Sequence, residues 1–157
     1  MYIHDMPRAA ERIAALDRVL ELAVLVNEDM TRSLAERGLT ESRTHVIWLV
    51  HAHGPCTQRD LAEAMRVSPR NVTGLVDALE QTGFVRRAPH PTDRRAVLVD
   101  LTDRGREAAE RLVEEQAEFA RLLFDRMPRT TFDGLVTGLD AVLGRLRLAV
   151  EEARADG

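Results

Sequence analysis

Apolar residues recur along most of this chain at helical spacing, interrupted at a few places by glycine, proline and capping residues. From Arg8 to about Glu36, one face carries Ile13, Leu16, Leu20, Ala23 and Met30, and Val19, Leu22, Leu25 and Val26 widen it. That stripe is broader than a single core contact requires, and Gly38 closes it. Thr40 caps a second helix with Val46, Ile47, Leu49 and Val50, which stops at His53-Gly54-Pro55. Thr57 followed by Asp60 is a capping-box-like start for a short helix bearing Leu61 and Met65. A few residues later Ser68 supplies an N-cap and Pro69 a first helical position. Val67 and Val72 fit a hydrophobic staple there. The apolar face then runs Val72, Leu75, Val76 and Leu79 until Gly83 ends the helix. Two short, separately capped helices joined by a tight turn predict a helix-turn-helix.

The period then changes. Phe84 to Ala88 and Ala96 to Leu101 are rich in β-formers, with Val97, Val99 and Leu101 alternating against Leu98 and Asp100. This pattern predicts a two-stranded hairpin with a long tip. Thr102 caps a further helix through roughly Met127, with Ala109, Leu112, Val113, Phe119, Ala120, Leu122 and Leu123. Pro128 breaks it, and a last helix from about Thr130 carries Phe132, Leu135, Val136, Leu139, Val142, Leu143, Leu146 and Val150. The expected fold is mainly α with a small β-wing (α+β), in one domain over residues 1–157. A winged helix-turn-helix occupies 40–102, and dimerisation helices occupy 1–36 and 103–157. The terminal helices hold more aliphatic surface than a small winged-helix core can bury. That excess implies a large partner interface, most simply a two-fold homodimer.

Composition narrows the class. The chain has 157 residues, 45% hydrophobic and 31% charged, as an ordinary soluble globular domain has. No apolar run approaches the roughly 18 residues of a membrane span. The N-terminal stretch "MYIHDMPRAAERIAAL" contains an acid and no apolar h-region, so no signal peptide and a cytoplasmic location are expected. Cys56 is the single cysteine, which excludes an internal disulfide framework and cannot make a zinc cluster by itself. His45, His51 and His53 lack the spacing and the nearby carboxylates of a zinc site, so neither a metal nor another cofactor is expected. There is no lysine, so every basic side chain is a planar arginine fork able to hold a phosphate or a guanine edge. The net charge of −4 argues against indiscriminate coating of nucleic acid. It leaves room for a local basic face, because fields are screened over about 8 Å.

Such a face is visible in the sequence. Arg70, Thr73, Gly74, Asp77 and Gln81 lie opposite the apolar stripe of the second short helix. Donors crowd its first turn and a half: Ser68, Arg70, Asn71 and Thr73. In a helix-turn-helix that end meets base edges in the major groove. Arginine suits guanine, asparagine suits adenine, and the threonine methyl suits the thymine methyl. Thr57 and Gln58, at the start of the preceding helix, join these as DNA-facing candidates. The stretch "RRAPHPTDRR" puts arginines on both sides of the hairpin tip. Arg94 and Arg95 are placed for a minor groove, and Arg86 and Arg87 for flanking phosphates. Asp93 is expected to pair with an arginine and orient its guanidinium.

The order of elements resembles the MarR family of bacterial regulators over nearly the whole chain. The most specific stretch runs from "LTESRTHVIWLV" to "LTDRGRE", and within it "DRRAVLVDLTDRG" is similar to the family's wing signature, Asp-x-Arg followed by Leu-Thr-x-x-Gly. The resemblance implies that Asp93 and Arg95 take the Asp-x-Arg roles. It also implies a homodimeric repressor on a pseudo-palindromic operator in double-stranded DNA, released by a small-molecule effector, an oxidant or a metal. The family's default ligand pocket makes Trp48 and His51 candidate lining residues. Cys56, near a helix N-terminus that could lower its pKa, keeps a redox-responsive alternative open, although a structural cysteine is the expected reading. A winged helix used as a protein-interaction module would call for an apolar wing, which "RRAPHPTDRR" is not. No Ser/His/Asp set, phosphate loop or paired-carboxylate motif points to an enzyme.

Overall fold

The computed structural model describes residues 6–155. Met1–Asp5, the start of the stretch read above as lacking a signal peptide, and Asp156–Gly157, the end of the expected C-terminal dimerisation segment, lie outside the described residues. The elements in chain order are α1 (Ala9–Ala35), α2 (Glu41–His53), β1 (Cys56–Thr57), α3 (Gln58–Met65), α4 (Pro69–Gln81), β2 (Val85–Pro89), β3 (Val97–Leu101), α5 (Asp103–Phe124) and α6 (Arg129–Ala155). The mainly α architecture with a small β-wing is as expected. Two boundaries shift: α5 stops at Phe124 rather than near Met127, and α6 begins at Arg129.

Local chemistry accounts for most boundaries. The hydroxyl of Thr40 accepts from the Arg43 N–H, and that of Ser68 accepts from the Asn71 N–H at 3.2 Å. Thr57 and Asp60 cap α3 reciprocally, at 3.1 Å and 2.9 Å. Gly83 (φ 80°) reverses the chain after α4, where the Phe84 N–H donates to the Leu79 carbonyl at 2.8 Å. Arg66 ends α3 in the same left-handed region (φ 55°) without being glycine.

The chain divides into two units, one up to Ala109 and one from Glu110. In the first, α2, α3 and α4 enclose a core with the sheet, in which Val46, Ile47, Leu61, Val72, Val76, Leu79, Val85 and Val99 are all buried. The wing holds three strands rather than two, in the antiparallel order β1-β3-β2. Cys56 pairs with Val99 and Thr57 with Leu98. A two-residue strand leaves no alternation to detect, and it exists because the residue capping α3 must be extended (Thr57, φ −76°, ψ 159°).

"LTDRG" acts here as a joint between the wing and α5. Leu101 is buried, and the Thr102 hydroxyl donates to the Gly83 carbonyl at 2.5 Å while accepting the Gly105 N–H at 3.1 Å. Arg104 lays its guanidinium 4.5 Å from the Phe84 ring centroid and donates to the Thr82 carbonyl at 2.7 Å. A Cβ on Gly105 would stand 2.0 Å from the Phe84 carbonyl oxygen, so only glycine lets α5 approach this closely. In the second unit Phe124 and Phe132 meet edge to face at 5.7 Å across the bend at Pro128.

α1 buries only Leu34, and α6 buries no residue. Their aliphatic side chains, among them Leu16, Leu20 and Val24 on α1 and Val142, Leu143 and Leu146 on α6, stand exposed in the single chain. No helix among the described residues is long and apolar enough to cross a membrane.

Candidate nucleic-acid interface

The N-terminal turn of α4 presents three exposed side chains, Arg70, Asn71 and Thr73, beside the capping Ser68. The hydroxyl of Ser68 is spent on the cap, and that of Thr57 on its own capping box. Both are therefore fixed in place, with their oxygens already holding backbone N–H groups. Gln58 is more deeply committed. Its Nε2 donates to Thr73 Oγ1 at 3.0 Å, and its Oε1 accepts from Arg87 Nε at 3.2 Å.

Arg87 departs from the phosphate-contacting role expected of it. Its guanidinium turns toward α4, donating to Asp77 at 2.5 Å and Glu80 at 3.0 Å. Burial works against its charge, but the Asp77 and Glu80 carboxylates outweigh that and hold the guanidinium above its ordinary pKa. Arg86, on the other face of β2, bonds Asp100 directly across the ladder at 3.0 Å and remains largely exposed. These pairings join residues distant in sequence, so no local pattern could announce them.

The wing tip is built by two side chains acting on the backbone. His90 Nδ1 accepts the N–H groups of Thr92 and Asp93, at 3.2 Å and 3.0 Å. The Asp93 carbonyl accepts the Ala96 N–H at 3.2 Å, which makes Arg94 and Arg95 the central pair of a β-turn. The Asp93 carboxylate takes the Arg95 backbone N–H at 2.9 Å. That corrects the expected pairing of Asp93 with a guanidinium. Asp93 holds the turn, as aspartate at a first turn position does, and the arginine side chains stay free. The His90 contribution went unread because imidazole is an uncommon turn acceptor, although its place between two prolines was a signal.

Among the described residues, the guanidinium groups of Arg66, Arg70, Arg94 and Arg95 carry no hydrogen bond or ion pair, unlike those of Arg86, Arg87, Arg104 and Arg106. Three of these four, Arg70, Arg94 and Arg95, are DNA-facing candidates read from the sequence, and Arg66, which ends α3, was not among them. Arg94 lines a wing cavity of about 480 Å³ with Arg87 and His90, and Arg87 also lines the hollow against Asp77, Glu80 and Gln81. Arg87 thus lies between α4 and the arginine-bearing tip.

The sensing candidates separate. Trp48 is half-buried and meets the exposed His51 edge to face, at 6.4 Å between centroids. Their helix neighbours Leu49 and His53 line a different cavity, about 330 Å³, with Cys56, Asp60, Leu61 and Ala64. Burial, and then the Asp60 carboxylate, push the Cys56 thiol up to about 11. The helix N-terminus does not lower it, which agrees with the structural reading of Cys56 and not with the redox alternative; at neutral pH the group is a protonated thiol and a poor nucleophile. Asp60 is held below the ordinary carboxylate value by the side-chain and then the backbone hydrogen bond with Thr57, against slight burial. No group of three or more His, Cys, Asp or Glu able to hold a metal ion occurs among the described residues.

The model of the MarR family matches residues 39–97, the stretch from the end of the α1–α2 turn to the first residue of β3. The uncharacterized HTH-type transcriptional regulator YkoM of Bacillus subtilis is 32% identical over 103 residues, covering 65% of this chain and 67% of its own. Another, YwhA of the same organism, is 28% identical over 112 residues, covering 71% and 81%. Among solved structures, RV1404 of Mycobacterium tuberculosis aligns with a TM-score of 0.71 at 27% identity, covering 91% of this chain and 97% of its own. The MepR–DNA complex of Staphylococcus aureus aligns with a TM-score of 0.68 at 21% identity, covering 85% and 98%.

Proposed function

The chain belongs to the MarR family of transcriptional regulators, and on that premise we propose that it is a cytoplasmic homodimeric repressor, which binds a pseudo-palindromic operator in double-stranded DNA and leaves it when a small molecule binds. In this reading residues 40–102 form the DNA-binding part. Ser68, Arg70, Asn71 and Thr73 face the major groove, with Thr57 and Gln58 behind them. Arg94 and Arg95 enter the adjacent minor groove from a tip shaped by Asp93, and Arg86 lies near the flanking phosphates. Residues 1–36 and 103–157 form the dimer, and the exposed aliphatic residues of α1 and of α6 are buried against a second copy. Trp48 and His51 remain the candidates for an effector site.

The observation that carries the proposal is the selective freedom of the arginines. Neighbouring guanidiniums are tied to carboxylates or carbonyls, while those of Arg70, Arg94 and Arg95 are left to an outside acceptor. Phosphates and guanine edges are the acceptors that a planar fork suits. The solved MepR complex shows a protein of the same fold on DNA. The solvent-exposed aliphatic faces support the dimer, because apolar area of this extent is ordinarily covered.

The test is selection. Duplexes enriched from a random library by the protein should share two inverted half-sites about one helical turn apart, and sedimentation equilibrium should give a dimer at working concentration. Enrichment of a single asymmetric site, or a monomer in solution, would overturn the proposal. Release from the enriched duplex then identifies the effector by screening, and a promoter that is more active without the protein establishes repression.

A further inference from the structure

A closed ring of hydrogen bonds leaves α4 and returns to it through two other elements. Thr73 Oγ1 donates to the Pro69 carbonyl at 3.0 Å and accepts from Gln58 Nε2 at 3.0 Å. Gln58 Oε1 accepts from Arg87 Nε at 3.2 Å, and Arg87 donates onward to Asp77 and Glu80, on α4 again. The ring therefore runs α4, α3, β2, α4, across 29 residues between Gln58 and Arg87.

Each link restricts the next. A guanidinium has donors only, so Arg87 forces the oxygen of the Gln58 carboxamide toward itself. The NH₂ end is then the one left for Thr73. A helical threonine ordinarily divides its time between two rotamers, because its hydroxyl can bond carbonyls in the preceding turn. The Gln58 bond rewards one of them. With its proton on Pro69 and one lone pair on Gln58, the hydroxyl has no proton left to donate and its direction is fixed, which turns the methyl outward from those two bonds.

We propose that Gln58 is a positioning residue for sequence readout: held by Arg87, it pins the Thr73 hydroxyl so that the methyl of Thr73 meets a thymine 5-methyl in the major groove. This rests on the DNA-binding reading, and it reassigns Gln58 from touching DNA to acting through a neighbour. Arg87 belongs to the same device, since its carboxylate partners lie on the helix it serves.

The experiment uses the full-length protein and the duplex enriched from a random library. Each thymine is replaced in turn by deoxyuridine, which deletes only the 5-methyl, and affinity is followed by fluorescence anisotropy. The wild type should lose about fourfold, the scale of one buried methyl, at one thymine per half-site. T73S keeps the hydroxyl, deletes the methyl, and should lose that discrimination. Q58L keeps Thr73 intact and should reduce discrimination at the same thymine to less than about half its wild-type value. Q58L affinity for duplexes of scrambled sequence should fall by less than its affinity for the thymine-bearing duplex. R87M opens the ring from its other end and should likewise reduce discrimination at the same thymine, read as the ratio of thymine to deoxyuridine affinity so that the lost charge cancels, which keeps the test available if Q58L folds poorly. A uniform loss on every duplex would make Gln58 merely structural and overturn the inference. So would full discrimination in Q58L or T73S, or no sensitive thymine in the wild type. Failure of the wild type to bind any duplex would be a different result, removing the DNA-binding reading itself.

Discussion

Gly105→Ala tests the joint between wing and α5. The added Cβ would lie 2.0 Å from the Phe84 carbonyl oxygen, 3.1 Å from its carbon and 3.2 Å from Leu101 Cδ2. Two of those atoms are backbone, so the strand end and the helix must separate by about an ångström or more. The same carbonyl oxygen accepts the Thr102 N–H at 3.1 Å and shares, at 3.2 Å, the Thr102 hydroxyl proton that the Gly83 carbonyl takes at 2.5 Å. Overpacking of this kind costs about 1–3 kcal/mol, and two weakened hydrogen bonds add about 1 kcal/mol each. Better helix propensity for alanine returns at most about 1 kcal/mol. The net expectation is a loss of about 2–4 kcal/mol, a large share of a typical 5–15 kcal/mol. With an m-value of about 2 kcal/mol/M, the urea midpoint followed by circular dichroism at 222 nm should fall by about 1–2 M. Wild type and variant are compared at one protein concentration, because a dimer's midpoint depends on it. A midpoint equal to or above wild type would refute the close-packing argument. Gly74→Ala supplies the contrast: nothing lies within 4 Å of its added Cβ, so it should stabilise by about 0.5–1 kcal/mol.

Other outcomes follow from the same structure. Ser68→Ala removes the α4 cap and should cost about 1 kcal/mol in urea unfolding. Cys56, protonated near neutrality, should react with iodoacetamide at pH 7 more slowly than an unfolded-chain thiol, and Cys56→Ser should leave DNA binding before and after peroxide unchanged. Because its folded pKa of about 11 lies above the ordinary 9.0, the unfolded state ionises first on alkalinisation; stability should decline as pH rises from about 9 to about 11. Asp60 acts oppositely: its folded pKa is depressed, so its contribution is present above the ordinary aspartate value and fades as pH falls through the folded one. Acid melts of wild type and Asp60→Asn should converge at low pH.

The parts of this fold that were legible in sequence are those determined locally. Ser68 with Pro69, Thr57 with Asp60, and Gly83 mark helix ends because each acts within a few residues of itself. The β1 strand was not legible, since two residues show no alternation and its partner lies some forty positions away in β3. Arg87 was misjudged for a related reason. Its acidic partners sit seven and ten residues back on another element, and a charge string cannot reveal which arginine will be neutralised. Asp93 stands out in the sequence as an acid among arginines, but its partner is a backbone N–H and not a side chain. Gly105 belongs to the "LTDRG" run whose likeness to a family signature was visible at once. Its reason was not, because the carbonyl it accommodates belongs to Phe84, on a different segment.

The central claim is that the unpaired arginines at the wing tip bind DNA. It is tested most directly by the salt dependence of affinity for the enriched duplex, measured for the wild type and for Arg94→Ala/Arg95→Ala. Each phosphate no longer neutralised should flatten the log–log slope by about 0.9, so the double variant should bind more weakly with a shallower slope, about 1–3 kcal/mol being lost for Arg95 alone. An unchanged affinity and slope, with the wild type itself binding the duplex, would contradict the account.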